Sequence, residues 1–218
     1  MPQEPATPTV QAVLFDYGLV LSGPPDPAAW ASMQEITRLP EDKFDQAYWA
    51  PRRAYDRGTY TGAEYWAAVG QHAGVQLSPI QVADLIKADN VLWTQVNQPM
   101  VDWAARLQDA GTPTGILSNL GDDMMLGVIA RLPWLDRFNH LLWSHTVKLA
   151  KPELEIYRHS AQSLGVPAPH ILFIDDRDEN LAAASEVGMQ TIPYTHHGTF
   201  EKEMMSRGMG KLWLTGRP

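Results

Sequence analysis

The sequence predicts an α/β fold built on a parallel sheet, with an all-helical segment inserted after the first strand. Two observations carry this. Short apolar runs ending in polar residues alternate with amphipathic helical stretches, which is the pattern of βαβ units. Between the first such run and the second, roughly 100 residues intervene with helical periodicity and no strand pattern, far beyond an ordinary loop.

The first strand runs from Val10 to Asp16 (VQAVLFD), a short apolar run ending in a carboxylate, as buried parallel strands read. The Pro-rich residues before it are expected to be a frayed tail. Further strands are predicted at Thr114 to Ser118 (TGILS) and Ile171 to Asp176 (ILFIDD), with weaker ones at Gln190 to Tyr194 and Leu141 to Ser144. Helical patterns run from Met100 to Asp109, Met124 to Arg131, Glu153 to Leu164 and Asn180 to Val187. In the inserted segment Trp30, Met33 and Ile36 share a face, followed by Phe44 and Tyr48, then Tyr65, Trp66 and Val69. Thr61 with Glu64 forms a capping box, and Ser78-Pro79 opens a helix through Lys87. Gly and Pro residues at Ser22-Gly23-Pro24-Pro25 and Asn97-Gln98-Pro99 mark the two crossings. The expected organisation is a core of residues 1–22 plus 97–218 and a helical unit of residues 23–96.

Composition bounds the function. With 44% hydrophobic and 19% charged residues the chain is an ordinary globular one. Its formal charge is -8 and it has no Lys/Arg run, so neither nucleic acid nor an anionic membrane is an expected partner. An acidic protein that handles phosphates must concentrate positive charge locally. Cysteine is absent, which excludes disulfides, thiolate metal sites and cysteine nucleophiles. The amino end has no basic and apolar leader pattern, and no apolar run approaches the ~20 residues that span a bilayer, so a cytoplasmic location is expected. The eight tryptophans are expected mostly in packing, with one or two lining a pocket.

Ligands of open parallel sheets bind at the carboxyl ends of the strands. Three predicted strands end there in Asp16, in Ser118 and in Asp175-Asp176. Singly, such residues read as turn or cap residues. Two adjacent carboxylates are more telling, because they repel unless a cation sits between them.

The residues Phe15-Asp16-Tyr17-Gly18-Leu19-Val20 resemble the first motif of the haloacid dehalogenase-like superfamily, in which an apolar strand ends in a nucleophilic Asp. Leu117-Ser118-Asn119 is similar to its second motif, and Lys151-Pro152 with Ile156-Tyr157 to its third. Phe173-Ile174-Asp175-Asp176, with Asn180, Ala182-Ala183 and Gly188-Met189, resembles the fourth. The likeness covers about residues 10 to 195 and is strongest to members reading FDxGxV, which include sugar-phosphate phosphatases.

The resemblance implies a Rossmann-like core with a helical cap that closes over the site and chooses the substrate. It implies magnesium-dependent hydrolysis of a small phosphorylated molecule through an aspartyl-phosphate on Asp16. Asp16, Asp176 and the Gly18 carbonyl would hold Mg2+, a cation that prefers hard oxygen ligands, with Asp175 ligating or orienting its waters. The Ser118 hydroxyl and the Asn119 N–H, opening a helix, would hold phosphate oxygens. Lys151 would supply a fixed positive charge. Lys148 is a rival three residues away, but the proline after Lys151, just ahead of a helix, favours Lys151. Asn180 reads either as a brace for the fourth-motif loop or as a plain helix N-terminal Asn.

One departure matters. Most phosphatases of the superfamily carry a second Asp, an acid and base, where this chain has Gly18. Its loss typically removes 10²–10⁴-fold in protonating a poor leaving group. Either the leaving group is good, as in an anomeric or acyl phosphate, or another residue or water donates the proton. A metal-free 2-haloacid dehalogenase, with Tyr17 beside the nucleophile, and a catalytically weak module that binds a phosphorylated ligand are the alternatives. The adjacent Asp175 and Asp176 weigh against the metal-free site.

In the inserted segment Arg52 or Arg53 would meet a second anionic group of the substrate, or else lie on a solvated face with Asp56 and Glu64 as partners. Trp49 and Tyr55 would form an apolar wall or pack between cap and core. Asp122 and Asp123 suit the dipole of the helix they begin. His145, His170, His196 and His197 lack zinc-site spacing, and His196-His197 reads as a loop near the mouth.

Overall fold

The computed structural model describes residues 9–216. The Pro-rich tail expected to fray lies, for residues 1–8, outside the described residues. Five strands form one parallel sheet in the order β3-β2-β1-β4-β5: β1 (Ala12–Phe15), β2 (Thr114–Ser118), β3 (His140–Trp143), β4 (Ile171–Asp175) and β5 (Gln190–Pro193). The central strand β1 pairs Phe15 with Ile116 on one side and with Ile174 on the other. That register brings the carboxyl ends of β1, β2 and β4 level.

The strands are apolar throughout because both faces of the sheet are covered. Val13, Phe15, Ile116, Leu172 and Ile174 face one core, while Ala12, Leu14, Leu117, Ile171 and Phe173 face a second. The period of two is therefore present, but neither face is polar and the alternation cannot be read in hydropathy.

Between Ser22 and Val96 lie five α-helices: α1 (Pro27–Thr37), α2 (Glu41–Trp49), α3 (Arg52–Asp56), α4 (Gly62–Ala73) and α5 (Pro79–Leu92). Asp26 caps α1, and the capping boxes of Thr61 with Glu64 and Ser78 with Gln81 begin α4 and α5. The helix from Pro79 extends to Leu92, five residues past Lys87, since Asp89 and Leu92 continue the buried face that Leu85 begins. Phe44, Tyr48, Tyr65 and Trp66 form the aromatic centre of the insertion.

The chain leaves and re-enters the core at one place. Ser22 and Val96 form an antiparallel bridge, with Gly23 N donating to Gln95 O at 2.8 Å and Asn97 N to Leu21 O at 2.9 Å. Asn97 Nδ2 also reaches Val20 O at 2.7 Å and the Tyr194 hydroxyl at 2.8 Å.

The remaining helices cover the sheet: α6 (Gln98–Asp109), α7 (Asp122–Arg131), α8 (Ser144–Val147), α9 (Leu154–Leu164), α10 (Asp178–Glu186), α11 (His197–Ser206) and α12 (Gly210–Trp213). The helices predicted from Met124 and Asn180 each begin two residues earlier, at Asp122 and Asp178, whose carboxylates suit the N-terminal dipole. Trp66, Trp103 and Trp213 are fully buried, whereas Trp49 and Trp93 line a cavity. Among the described residues no helix is long and apolar enough to cross a membrane.

Candidate active site

At the carboxyl end of β1 the chain stops being a strand with Asp16, whose N–H still donates to Ile174 O at 2.8 Å. A wide turn follows, Tyr17–Leu21, closed by Ser22 N donating to Tyr17 O at 2.7 Å. Within it Leu19 adopts φ 58°, a left-handed conformation uncommon for a branched aliphatic residue. Tyr17 is buried against Trp143, and its hydroxyl donates to Trp93 O.

Three carboxylates meet here. One oxygen each of Asp16, Asp175 and Asp176 lie within 4.8 Å of one another. Lys151 Nζ reaches into the cluster, 2.8 Å from Asp16 Oδ1 and 2.6 Å from Asp175 Oδ2, with the whole side chain buried. Tyr17 N also donates to Asp16 Oδ1 at 2.7 Å. Asp175 is fully engaged: Asn180 Nδ2 lies 2.9 and 3.1 Å from its two oxygens, and Arg177 N donates at 2.9 Å. Asn180 is thus a buried brace for the loop after β4 and not the N-cap of α10.

The electrostatics follow from burial. Burial pushes Asp16 up to about 7; Lys151 opposes this, and Asp175 and Asp176 reinforce it. Burial likewise raises Asp176, helped by Asp175 and opposed by Lys151. For Lys151 burial works downward, but the carboxylates of Asp16 and Asp175 outweigh it and hold the ammonium above its ordinary value. Three carboxylates around one ammonium leave a formal excess of two negative charges. Oxygen-only donors with that excess fit a hard divalent cation.

Ser118 ends β2, buried and facing the same cavity as Asp16 and Lys151. Asn119 lines the cavity too, but it departs from expectation in its helix and its side chain. Its side chain is spent on Lys151, with Nδ2 donating to Lys151 O at 2.9 Å and Lys151 N donating to Oδ1 at 2.8 Å. The helix after it starts only at Asp122, behind the Gly121 cap, so Asn119 does not open a helix. Lys148, the rival of Lys151, points away, donating to Gly58 O at 2.5 Å.

The cavity has a volume of about 430 Å³. Its core side holds Asp16, Gly18, Ser118, Lys151 and Asp176, and its insertion side Trp49, Arg52, Asp56 and Trp93. The two adjacent arginines separate. Arg52 is buried, paired with Asp56 at 2.8 Å, and also donates to the Tyr48 hydroxyl. Arg53 is exposed and does not line the cavity, because one residue's step of about 100° around the helix turns it away from the face that Arg52 occupies. Tyr55 is no cavity wall either; it is buried, stacked on Tyr65 at 4.5 Å. The two histidines are not at the mouth: His196 ends the short loop after β5 as the cap of α11, the His197 ring lies against Trp213, and neither lines the cavity. Leu19, Trp93 and Arg177 line the cavity without having been foreseen. No residue pattern flags a left-handed leucine, and Trp93 could have been suspected only from its place beside a crossing.

Known proteins bear on this arrangement. Bifunctional epoxide hydrolase 2 of Sus scrofa is 27% identical over 206 residues, covering 84% of this chain. The chain spans only 36% of the length of that relative. (S)-2-haloacid dehalogenase of Pseudomonas putida is 30% identical over 87 residues, 40% of this chain and 38% of that protein. Among solved structures, a HAD family enzyme of Bacteroides thetaiotaomicron superposes with a TM-score of 0.73 at 23% identity, over 86% of this chain and 95% of that one. The same enzyme in complex with magnesium and inorganic phosphate superposes with a TM-score of 0.69 at 23% identity, over 85% and 94% of the two chains. These superpositions establish a shared fold. The model of the haloacid dehalogenase-like hydrolase family matches residues 11–188, most of the chain, including the ends of β1, β2 and β4, and the protein belongs to that family.

Proposed function

We propose that the chain is a magnesium-dependent phosphatase acting on a small phosphorylated metabolite, of the sugar-phosphate kind, with Asp16 as nucleophile. The observation that carries this reading is the cluster of Asp16, Asp175 and Asp176 around Lys151, whose excess of two negative charges one divalent cation balances. Because Asp175 already serves Asn180, Lys151 and the Arg177 N–H, we assign direct coordination to Asp16, Asp176 and the Gly18 carbonyl. Asp175 then fixes Lys151 and orients metal waters. The magnesium and inorganic phosphate held by the Bacteroides enzyme, which shares this fold, support magnesium as the cation. When bound, magnesium would neutralise charge on the transferring phosphoryl group.

The chain's own groups do the rest. With Oδ1 held by Lys151 and the Tyr17 N–H, we assign attack on phosphorus to Asp16 Oδ2. The bond from phosphorus to the ester oxygen breaks, and the leaving oxygen takes its proton from water. A second water then cleaves the aspartyl-phosphate, releasing inorganic phosphate and restoring Asp16. Lys151 and the Ser118 hydroxyl hold phosphoryl oxygens where negative charge develops. Gly18 brings no acid, and a Cβ there would meet nothing within 4 Å, so the turn leaves open space beside the nucleophile. That arrangement suits esters with good leaving groups, such as anomeric or acyl phosphates.

The likeness to (S)-2-haloacid dehalogenase favours a second reading, attack of Asp16 on carbon without metal. Phosphate release from sugar phosphates, nucleotides and p-nitrophenyl phosphate, with magnesium and with chelator, separates the two. Magnesium-dependent release lost in Asp16→Asn is expected. Chelator-insensitive halide release from a 2-haloacid, with no phosphate release, would overturn the reading.

A further inference from the structure

We propose that the substrate carries a single phosphate and an uncharged leaving group with a flat or apolar face, gripped between Trp49 of the insertion and Leu19 of the turn after β1. This rests on the phosphatase reading and names the class of ester it takes. Each cation lining the cavity already has a carboxylate partner. Lys151 serves Asp16 and Asp175, Arg52 is held by Asp56, and Arg177 at the rim pairs with Glu179 at 3.0 Å. At Lys151 and Arg52 a second anion would have to displace a buried ion pair to be recognised, at a loss in affinity, while the exposed Arg177–Glu179 pair at the rim offers an anion only a weak, solvent-screened contact.

What the leaving-group end offers is apolar surface. Trp49 is 46% exposed although it sits at the cavity, and Leu19 is 41% exposed beside the nucleophile. Leu19 holds φ 58° where glycine or asparagine would be relaxed, so the turn keeps an aliphatic side chain there against backbone preference. The Arg52 guanidinium lies 5.7 Å from the centre of the Trp49 ring and the Tyr48 ring stands edge-on to it at 4.9 Å. Arg52 is thus a positioning residue that fixes the indole, not a receptor for anions. The open space at Gly18 lies on the same turn as Leu19 and admits the leaving group's ring.

The test is kcat/KM with magnesium for p-nitrophenyl phosphate, acetyl phosphate and phosphoenolpyruvate, in wild type, Trp49→Ala, Trp49→Phe and Leu19→Ala. Wild type should prefer p-nitrophenyl phosphate to phosphoenolpyruvate, which bears a second anion. The ratio of p-nitrophenyl phosphate to acetyl phosphate should drop about tenfold in Trp49→Ala and in Leu19→Ala, mostly through KM, with Trp49→Phe keeping most of it. Both side chains are exposed, so neither substitution threatens folding. An unchanged ratio in both alanine variants, or preference for phosphoenolpyruvate, overturns the proposal while leaving phosphatase activity standing. No phosphate release from any ester overturns the proposal together with the reading on which it rests.

Discussion

Asn119 and Lys151 hold each other through a reciprocal pair of hydrogen bonds between one side chain and one backbone. The amide of Asn119 fixes the peptide of Lys151, and with it the root of the side chain that reaches Asp16. Asn119→Ala should therefore lower kcat roughly 10- to 100-fold by loosening Lys151. The fold should lose only about 2 kcal/mol, the worth of two ordinary hydrogen bonds. Steady-state kinetics and urea unfolding on the same preparation measure both; loss of kcat in proportion to unfolding would refute the positioning role.

Lys151→Ala removes the only ammonium in the cluster and leaves Asp16 and Asp175 buried without a counter-charge. The metal-free variant should be destabilised by about 3–5 kcal/mol at neutral pH. The deficit should shrink at pH 5, where a raised carboxylate takes up a proton and no longer needs a partner. Urea midpoints at the two pH values give the comparison, and an equal deficit at both would contradict it.

Magnesium and protons should compete for Asp16. Its folded value of about 7 lies above its ordinary 3.8, so the metal-free folded state binds the extra proton. A raised acid contributes stability below its unfolded value and loses it as pH climbs through the folded one. Metal-free stability should therefore fall between about pH 4 and 7. Magnesium affinity should rise over that range, roughly tenfold from pH 6 to pH 8 for one competing proton. Calorimetric titration at three pH values tests this, and a flat profile would exclude Asp16 as the titrating ligand.

The neighbouring arginines should behave oppositely. Arg52→Ala leaves Asp56 and Asp89 buried without their cation, and about 3–5 kcal/mol of stability should go with it. Arg53→Ala, on the exposed face, should stay within about 0.5 kcal/mol of wild type. Similar losses from both would mean that the insertion packs differently.

Gly121 lets the insertion come close to the core: a Cβ there would stand 2.2 Å from the Tyr55 ring. Gly121→Ala should cost about 1–3 kcal/mol through overpacking, and by pushing Tyr55 outward it should raise KM more than it lowers kcat. An unaltered KM would show that the ring simply rotates aside.

The parallel sheet and the residues at its strand ends were legible because buried strands are apolar and chemistry sits where they stop. Asp16, Ser118, Lys151 and Asp175-Asp176 lie around one cavity or cluster, as strand order and motif spacing suggest. The insertion was legible only as helices. Arg52 and Arg53 are neighbours of equal composition, and which one turns inward depends on where α3 starts, after Pro51, which no propensity fixes to one residue. The part of Asn119 that the sequence hides is its side chain, which finds a backbone partner 32 residues away, a contact that local pattern cannot contain. Leu19 was invisible for a related reason: its backbone is held by the Ser22 hydroxyl and the closure of the turn, against its own preference.

The bridge between Ser22 and Val96 means that the two ends of the insertion are already side by side. Whatever is spliced between them meets the sheet at a single doorway, and the sheet does not register its length. Closing a longer or shorter excursion there changes the entropy only logarithmically. An excursion of another length or shape can thus be carried at that doorway while the cluster of Asp16, Asp175 and Asp176 keeps its place at the strand ends.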